Sequence, residues 1–349
     1  MNDLDTLVEL VIKEGVSDLH ISEDRNPFIR VAGTLVPLTK YPKFTKGLMQ
    51  SILNGVLSDL KKSTFETSQS ADFSYDHKGE RFRVHVYLDQ QKICMSFRHI
   101  PKKIPTLVEL GLPDNLENFA RLKSGFFLVV GPTGHGKSTT LASLIDIINN
   151  ERLENIITVE DPVEYLFTPQ KSVIHQREVG TDTPSFEIAL HDSFRADVNV
   201  IMVGEMRDPE TMSTAVSAAE TGHLVFSTLH TNNAAQTVDR IIDSFSANQQ
   251  NQIRIQLAAS LSGIFSQRLI PKISGGLIPA YELLINNTAI SNLIRDKRTH
   301  EINTVIETGS QEGMIDFNRC LVQRVNAGEI SVENAYLYST NPRSLEKML

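Results

Sequence analysis

Cysteine is scarce in this chain: Cys94 and Cys320 are the only two among 349 residues. Two thiols so far apart cannot build a disulfide framework, and they exclude a four-cysteine zinc site within one chain. Positive charge is also short. Lys and Arg number 34 against 42 Asp and Glu, so the net charge is −8, which is no general signature of nucleic-acid binding. A local basic groove stays compatible with that balance, but aromatic residues interleaved with basic ones, the usual base-stacking pattern, are missing. No apolar run approaches the ~20 residues needed to span a bilayer. No apolar segment follows the start either, where Asp3, Asp5 and Glu9 are acidic. Low-complexity segments and short-period repeats are absent. These absences lead us to expect a cytoplasmic protein that reaches a membrane only through partners.

What is present is a hydrophobic content of 40%, enough for real cores, in a length that suits two or three domains. The most informative segment is Gly131-Pro132-Thr133-Gly134-His135-Gly136-Lys137-Ser138. It reads G-x-x-x-x-G-K-S, the P-loop. The apolar run Phe126-Phe127-Leu128-Val129-Val130 precedes it, as a buried parallel strand does. After it, Leu141, Leu144, Ile145 and Ile148 recur at helical spacing, and Asn149-Asn150 ends the pattern. Strand, glycine loop and helix are the context in which the motif cradles a polyphosphate. Glycines let the backbone N–H groups turn inward, and the helix N-terminus adds partial positive charge. The expected ligands are ATP and Mg²⁺. Lys137 would reach the β- and γ-phosphates, the Ser138 hydroxyl would hold Mg²⁺, and Thr139 continues the binding segment.

Two carboxylate-bearing segments extend the site. Val200-Ile201-Met202-Val203-Gly204-Glu205 is an apolar run ending in an acid, so a buried strand delivers Glu205 to the phosphate end of a sheet. Glu205 could hold the Mg²⁺ water network or orient the attacking water. Ile157 to Val159 lead into Glu160, Asp161, Pro162 and Glu164. Pro162 ends regular structure there, which puts the acids on a loop. Glu164 is the first candidate for the general base, while Glu160 and Asp161 could equally be structural caps. His223 and His230 flank the run 224–229. A histidine at a strand end can hydrogen-bond a γ-phosphate, so a nucleotide-sensing role is expected for both.

Along the chain, residues 1–100 read as an α+β domain, with helical faces at Leu4, Leu7, Val8, Val11 and Ile12 and at Leu48, Ile52, Leu53 and Leu57. Short strands are expected at 19–21, 28–31, 35–36, 82–87 and 93–97, with a turn at Ala32-Gly33-Thr34. Residues 101–106 form a linker in which Pro101 and Pro105 bracket two lysines. Strands at 156–159, 198–204 and 224–229 make 107–270 an α/β core with a mainly parallel sheet. Residues 271–349 are expected to be mostly helical.

These blocks, in this order, resemble the secretion ATPases of type II secretion and type IV pili. The P-loop matches their Walker A, 157–165 their aspartate box, 203–208 their Walker B, and 221–231 their histidine box. Residues 16–21 and 80–84, the stretch 104–113, and 248–250 through 267–269 further resemble the type IV pilus retraction ATPases, the PilT/PilU family. Ala289-Ile290, Leu293-Ile294-Arg295 and Thr299 to Ile302 are similar to that family's C-terminal motif. Extension and export motors carry a four-cysteine zinc site and a longer N-terminal region, which this chain lacks. Three positions depart from the pattern: His135 stands for serine, Asp197-Val198-Asn199 for Asp-Pro-Asp, and Ser291 for arginine.

The resemblance implies a RecA-like P-loop core, a smaller PAS-like N-terminal domain, and a homohexamer with ATP at subunit interfaces. It implies an inner-membrane platform protein as partner, pilin subunits as indirect cargo, no nucleic acid, and work at the inner face of the cytoplasmic membrane. Arg81, Arg83 and Arg98 could then reach a neighbour's phosphates as arginine fingers, and Arg195 and Arg207 could help in cis. The alternatives are a PilU-like accessory ATPase and a non-hydrolysing ATP-binding assembly factor. A nucleic-acid translocase is a further rival, disfavoured by the acidic charge.

Overall fold

Leu4, Leu7, Val8 and Val11 are each at most 2% exposed, which confirms the helical stripe and the face that the helix Asn2–Glu14 buries. The computed structural model describes residues 2–31, 34–100 and 102–349. The turn expected at Ala32 and Gly33, and Pro101 of the expected linker, lie outside the described residues. Those described form two compact units. The first comprises Met1–Ile104 together with Val159–Thr168 and Gln176–Ser185; the second holds the remainder.

In the first unit, β1 (Asp18–Ser22), β2 (Phe28–Val31), β3 (Thr34–Pro37), β4 (Ser70–His77), β5 (Glu80–Asp89) and β6 (Lys92–Ile100) form one sheet. Their order is β3-β2-β1-β6-β5-β4, and the pairs are antiparallel. On the β5–β6 pair, Val84 lies opposite Phe97 and Val86 opposite Met95, all four buried. Each such side chain contributes about 1.5–3 kcal/mol when removed from water. The helix expected around Leu48 spans Lys46–Val56, and the Thr45 hydroxyl caps it by accepting the N–H of Leu48. The next helix, Asp59–Ser68, buries only Lys61, which is why hydrophobic spacing does not reveal it.

A second sheet has seven strands, most of whose residues fall in the second unit. Its strands are β7 (Gly125–Val130), β8 (Asn155–Glu160), β9 (Val173–Glu178), β10 (Val200–Val203), β11 (Leu224–Leu229), β12 (Leu261–Pro271) and β13 (Leu277–Ile285). The order is β13-β12-β7-β11-β10-β8-β9. Strands β10, β11, β7 and β12 run parallel, so their C-terminal ends share one edge. That edge is where ligands bind in open α/β sheets. Every side chain of β7 and β11 is buried, as the apolar runs require.

The expected boundary at 271 is corrected by β13. Residues 277–285 return antiparallel along β12, from Gly263 opposite Ile285 to Pro271 opposite Leu277, and extend the sheet. The run Leu277–Ile285 is apolar enough to be read as either helix or strand, and the long partner β12 decides it. Helices follow only from Thr288 onward, and one of them, Phe317–Asn326, packs Phe317, Cys320 and Leu321 with Ile270 and Ala280 of the hairpin. No helix among the described residues is long and apolar enough to cross a membrane.

Candidate nucleotide site

The P-loop leaves β7 at Gly131 and enters the helix Lys137–Glu151. Gly131, Gly134 and Gly136 have φ values of 146°, 79° and 82°. At Gly131 the glycine is obligatory, since a Cβ would sit 2.2 Å from the Gln267 carbonyl oxygen. The loop is braced by β12. Gln267 donates from Nε2 to the His135 carbonyl (2.9 Å) and accepts from the Thr140 hydroxyl (2.8 Å). The Leu269 N–H donates to Nδ1 of His135 at 2.8 Å. Burial, and then the positive charges of Arg268 and Lys137, hold the His135 imidazole below its usual pKa. The unusual histidine is therefore neutral and acts as an acceptor that ties the loop to the sheet.

Lys137 is buried, and its ammonium donates to the carbonyls of Gly131 (2.9 Å) and Pro132 (3.0 Å). Nδ1 of His230 lies 3.4 Å from both this ammonium and the Thr133 hydroxyl, and its Nε2 lies 3.5 Å from Glu205. Glu205 also pairs with Arg207. Thus Lys137, Thr133, His230, Glu205 and Arg207 converge at the C-terminal edge of the sheet, beside Pro132, Gly134 and the exposed Ser138.

Two expected members are elsewhere. His223 precedes β11, and its carbonyl accepts the N–H of Gly125 at the start of β7. The six residues of β11 separate it from His230, roughly 20 Å at ~3.3 Å per residue. Its Nδ1 bonds the Ala218 carbonyl at 3.0 Å. Arg195 also lies at the N-terminal edge, where the Asn155 amide donates to the carbonyls of Ala196 and Asp197. Neither faces the P-loop of its own chain. A motif read as one block spans a whole strand, and its two ends point to opposite edges.

Glu164, Arg81, Arg83 and Arg98 belong to the first unit. Arg83 bonds Glu164 at 3.1 Å, and the Glu164 N–H donates to Glu160 at 3.3 Å. Arg98 bonds Asp18 at 2.9 Å and is largely exposed. Arg81 is mostly buried and bonds Asp76, Glu178 (3.2 Å) and the Val163 carbonyl (3.3 Å). Its guanidinium is committed to the internal structure of that unit, which removes it as a free finger. Glu178 is the centre of this cluster, 3% exposed, and also accepts from Ser74, Val163 and Thr181.

Ser291 is buried and donates to the Ala258 carbonyl (2.9 Å) and Asn286 (3.1 Å). Asp197 takes φ 49°, in the left-handed region. Sequence reasoning missed the roles of Gln267 and Glu282. Each is a polar residue inside an apolar strand run, and that interruption is the signal. Glu282 accepts from the Ala234 N–H at 2.7 Å and the Ser266 hydroxyl at 3.2 Å.

A Mg²⁺ ion fits this donor set. Among the described residues no group of three or more His, Cys, Asp and Glu could hold a metal. Mg²⁺ is ordinarily held by one or two protein oxygens with phosphates and water, and Ser138 and Glu205 supply such oxygens.

A family model described as type II/IV secretion system protein matches residues 2–311. The chain is 41% identical over 334 residues to the type IV pilus retraction ATPase PilT of Pseudomonas aeruginosa, covering 95% of this chain and 97% of that one. It is 37% identical over 349 residues to the type IV pilus ATPase PilU of the same organism, covering 99% and 91%. A crystal structure of the pilus retraction motor PilT with bound ADP is similar at a TM-score of 0.90 and 44% identity, over 98% of each chain.

Proposed function

Because the chain belongs to the type II/IV secretion system protein family, we propose that it is an ATPase motor that retracts a type IV pilus. The observation that carries the chemistry is the convergence of the Lys137 ammonium, His230 and Glu205 at the mouth of the P-loop. The observation that carries the biology is end-to-end similarity to PilT.

Lys137 is held by two loop carbonyls, which the β- and γ-phosphate oxygens of ATP replace on binding. The backbone N–H groups of 133–139 and the helix N-terminus receive the remaining phosphate charge. Ser138 and Glu205 would hold Mg²⁺, which would supply positive charge to offset that of the phosphates. Water would attack the γ-phosphorus in line as the bond to ADP breaks, leaving ADP and phosphate, and Glu164 stays the candidate to take the water's proton. His230 bridges Glu205 and Lys137 and so senses whether a γ-phosphate lies between them. Arg83 and Arg98 are the candidates to reach a neighbouring subunit's nucleotide in a homohexamer. Force would pass to a membrane platform protein and, through it, to pilin subunits at the inner face of the cytoplasmic membrane.

The test is phosphate release from ATP by the wild type, Glu205→Ala and Lys137→Ala. Turnover by the wild type that both substitutions abolish supports the reading; no release above background by the wild type sinks it. In cells, deletion of the gene should increase surface pili and abolish twitching, and fewer pili would contradict retraction. A second reading, an accessory retraction ATPase, rests on the similarity to PilU. It predicts that deletion leaves retraction intact while the principal motor is present.

A further inference from the structure

We infer that Glu282 is a positioning residue for ATP turnover: it clamps the segment 231–234 and thereby sets His230 against Lys137 and Glu205. The inference rests on the ATPase reading. Four residues, Thr231, Asn232, Asn233 and Ala234, carry the chain from His230 into the helix Ala234–Asp243. The N–H of Ala234 is the first donor of that helix and has no partner within it. It donates instead to the Glu282 carboxylate, 2.7 Å away on β13. Ser266 of β12 donates to the same oxygen at 3.2 Å. One carboxylate thus joins the hairpin β12–β13 to the start of the helix.

The rest of the segment is fastened by β12 and by its own helix. Arg268 donates to the Asn232 side chain at 3.0 Å, and the Thr231 and Thr237 hydroxyls are 2.7 Å apart. Asn233 caps the helix by accepting the Gln236 N–H at 2.8 Å. With these contacts made, His230 has little freedom except through the ring that reaches Lys137, Thr133 and Glu205. A carboxylate is an expensive choice for a site this buried unless its charge is used. Ionised, it holds the Ala234 N–H by a charge-assisted bond, stronger than a neutral acceptor can make. The charged groups acting on it are Arg268 from β12 and Asp316 at the start of the helix Phe317–Asn326; the first turn of the helix Ala234–Asp243 carries none. Burial raises its pKa to about 7, so the two forms of the clamp interchange near neutrality.

Two substitutions separate charge from acceptor. Glu282→Ala removes the acceptor: kcat should fall about tenfold at pH 8 with KM for ATP within twofold. Amide hydrogen exchange over 231–238 should quicken about tenfold. Glu282→Gln restores an acceptor without charge. Its exchange should return toward that of the wild type, its kcat at pH 6 should equal the wild type's, and it should lack the rise in kcat that the wild type shows through about pH 7. Wild-type kcat and exchange in Glu282→Ala would overturn the inference. So would a wild-type pH profile in Glu282→Gln, which decides the matter alone if Glu282→Ala does not fold. If the wild type turns over no ATP, the ATPase reading falls and the positioning role falls with it. Exchange in the two variants then still reports whether the clamp itself exists.

Discussion

Removing the His135 ring should loosen the P-loop by a predictable amount. The loop is tied to β12 at two points: the Gln267 amide holds the His135 carbonyl, and the His135 ring holds the Leu269 N–H at 2.8 Å. His135→Ala keeps the first tie and cuts the second. An N–H left without an acceptor in a partly buried place costs about 1–2 kcal/mol, which is about 5–30-fold in an equilibrium constant. If the tie pre-organises the loop, nucleotide affinity should fall by that factor. His135→Asn keeps an acceptor near the position of Nδ1 and should bind within about twofold of the wild type. The pH dependence follows from the same bond. The folded-state pKa lies below the usual 6.5, chiefly through burial, so the folded chain takes up the proton less readily than the unfolded one. The tie is fully present above about pH 6.5 and is lost as the pH falls through the lowered folded value, because a protonated Nδ1 can no longer accept. The assay is titration with a fluorescent ADP analogue at pH 8 and in acid. Affinity should weaken in acid for the wild type and much less for His135→Asn. Equal affinity of His135→Ala and the wild type at pH 8 would refute the reasoning.

Other substitutions test the remaining supports. Gly131→Ala forces a Cβ onto the Gln267 carbonyl at 2.2 Å in a left-handed conformation, and should cost about 3–5 kcal/mol and abolish nucleotide binding; an unchanged melting temperature would contradict this. Glu178→Gln strips the charge from a buried carboxylate paired with Arg81, whose other partner Asp76 remains, and should destabilise by about 1–3 kcal/mol, read in urea denaturation. Glu282 bears on stability as well as turnover. Its folded pKa of about 7 lies above the unfolded 4.5, so the folded state keeps a proton that the unfolded state has lost. Its contribution is therefore fully present below about pH 4.5 and lost as the pH rises through about 7. Glu282→Gln should flatten that part of the stability–pH curve, and melting curves from pH 5 to 8 that parallel the wild type's would argue against a buried titrating carboxyl.

Much of the site was legible because its elements announce themselves locally. Phe126 to Ser138 carries strand, loop and helix in one stretch, and Val200 to Glu205 places an acid at a strand end with no tertiary information. The braces were not legible, because they come from elsewhere in the chain: Gln267 is 132 residues from His135, and Glu282 is 48 from Ala234. The helix Asp59–Ser68 escaped because it buries one lysine and little else. Strand β13 escaped because an apolar run of nine residues has no decisive period until its partner is known. The histidines show the opposite failure. His223 and His230 flank one short run in sequence, yet a strand carries its two ends to opposite edges of the sheet.

That strand has a mechanical consequence. β11 is hydrogen-bonded along its length to β7 on one side and, over Leu224–Ser227, to β10 on the other. It cannot shear against either neighbour without breaking several backbone bonds at once. Its axial stiffness is therefore set by main-chain geometry, which side-chain substitutions along it leave in place. Larger or smaller residues at Val225 or Phe226 would alter stability and leave the rod as rigid as before.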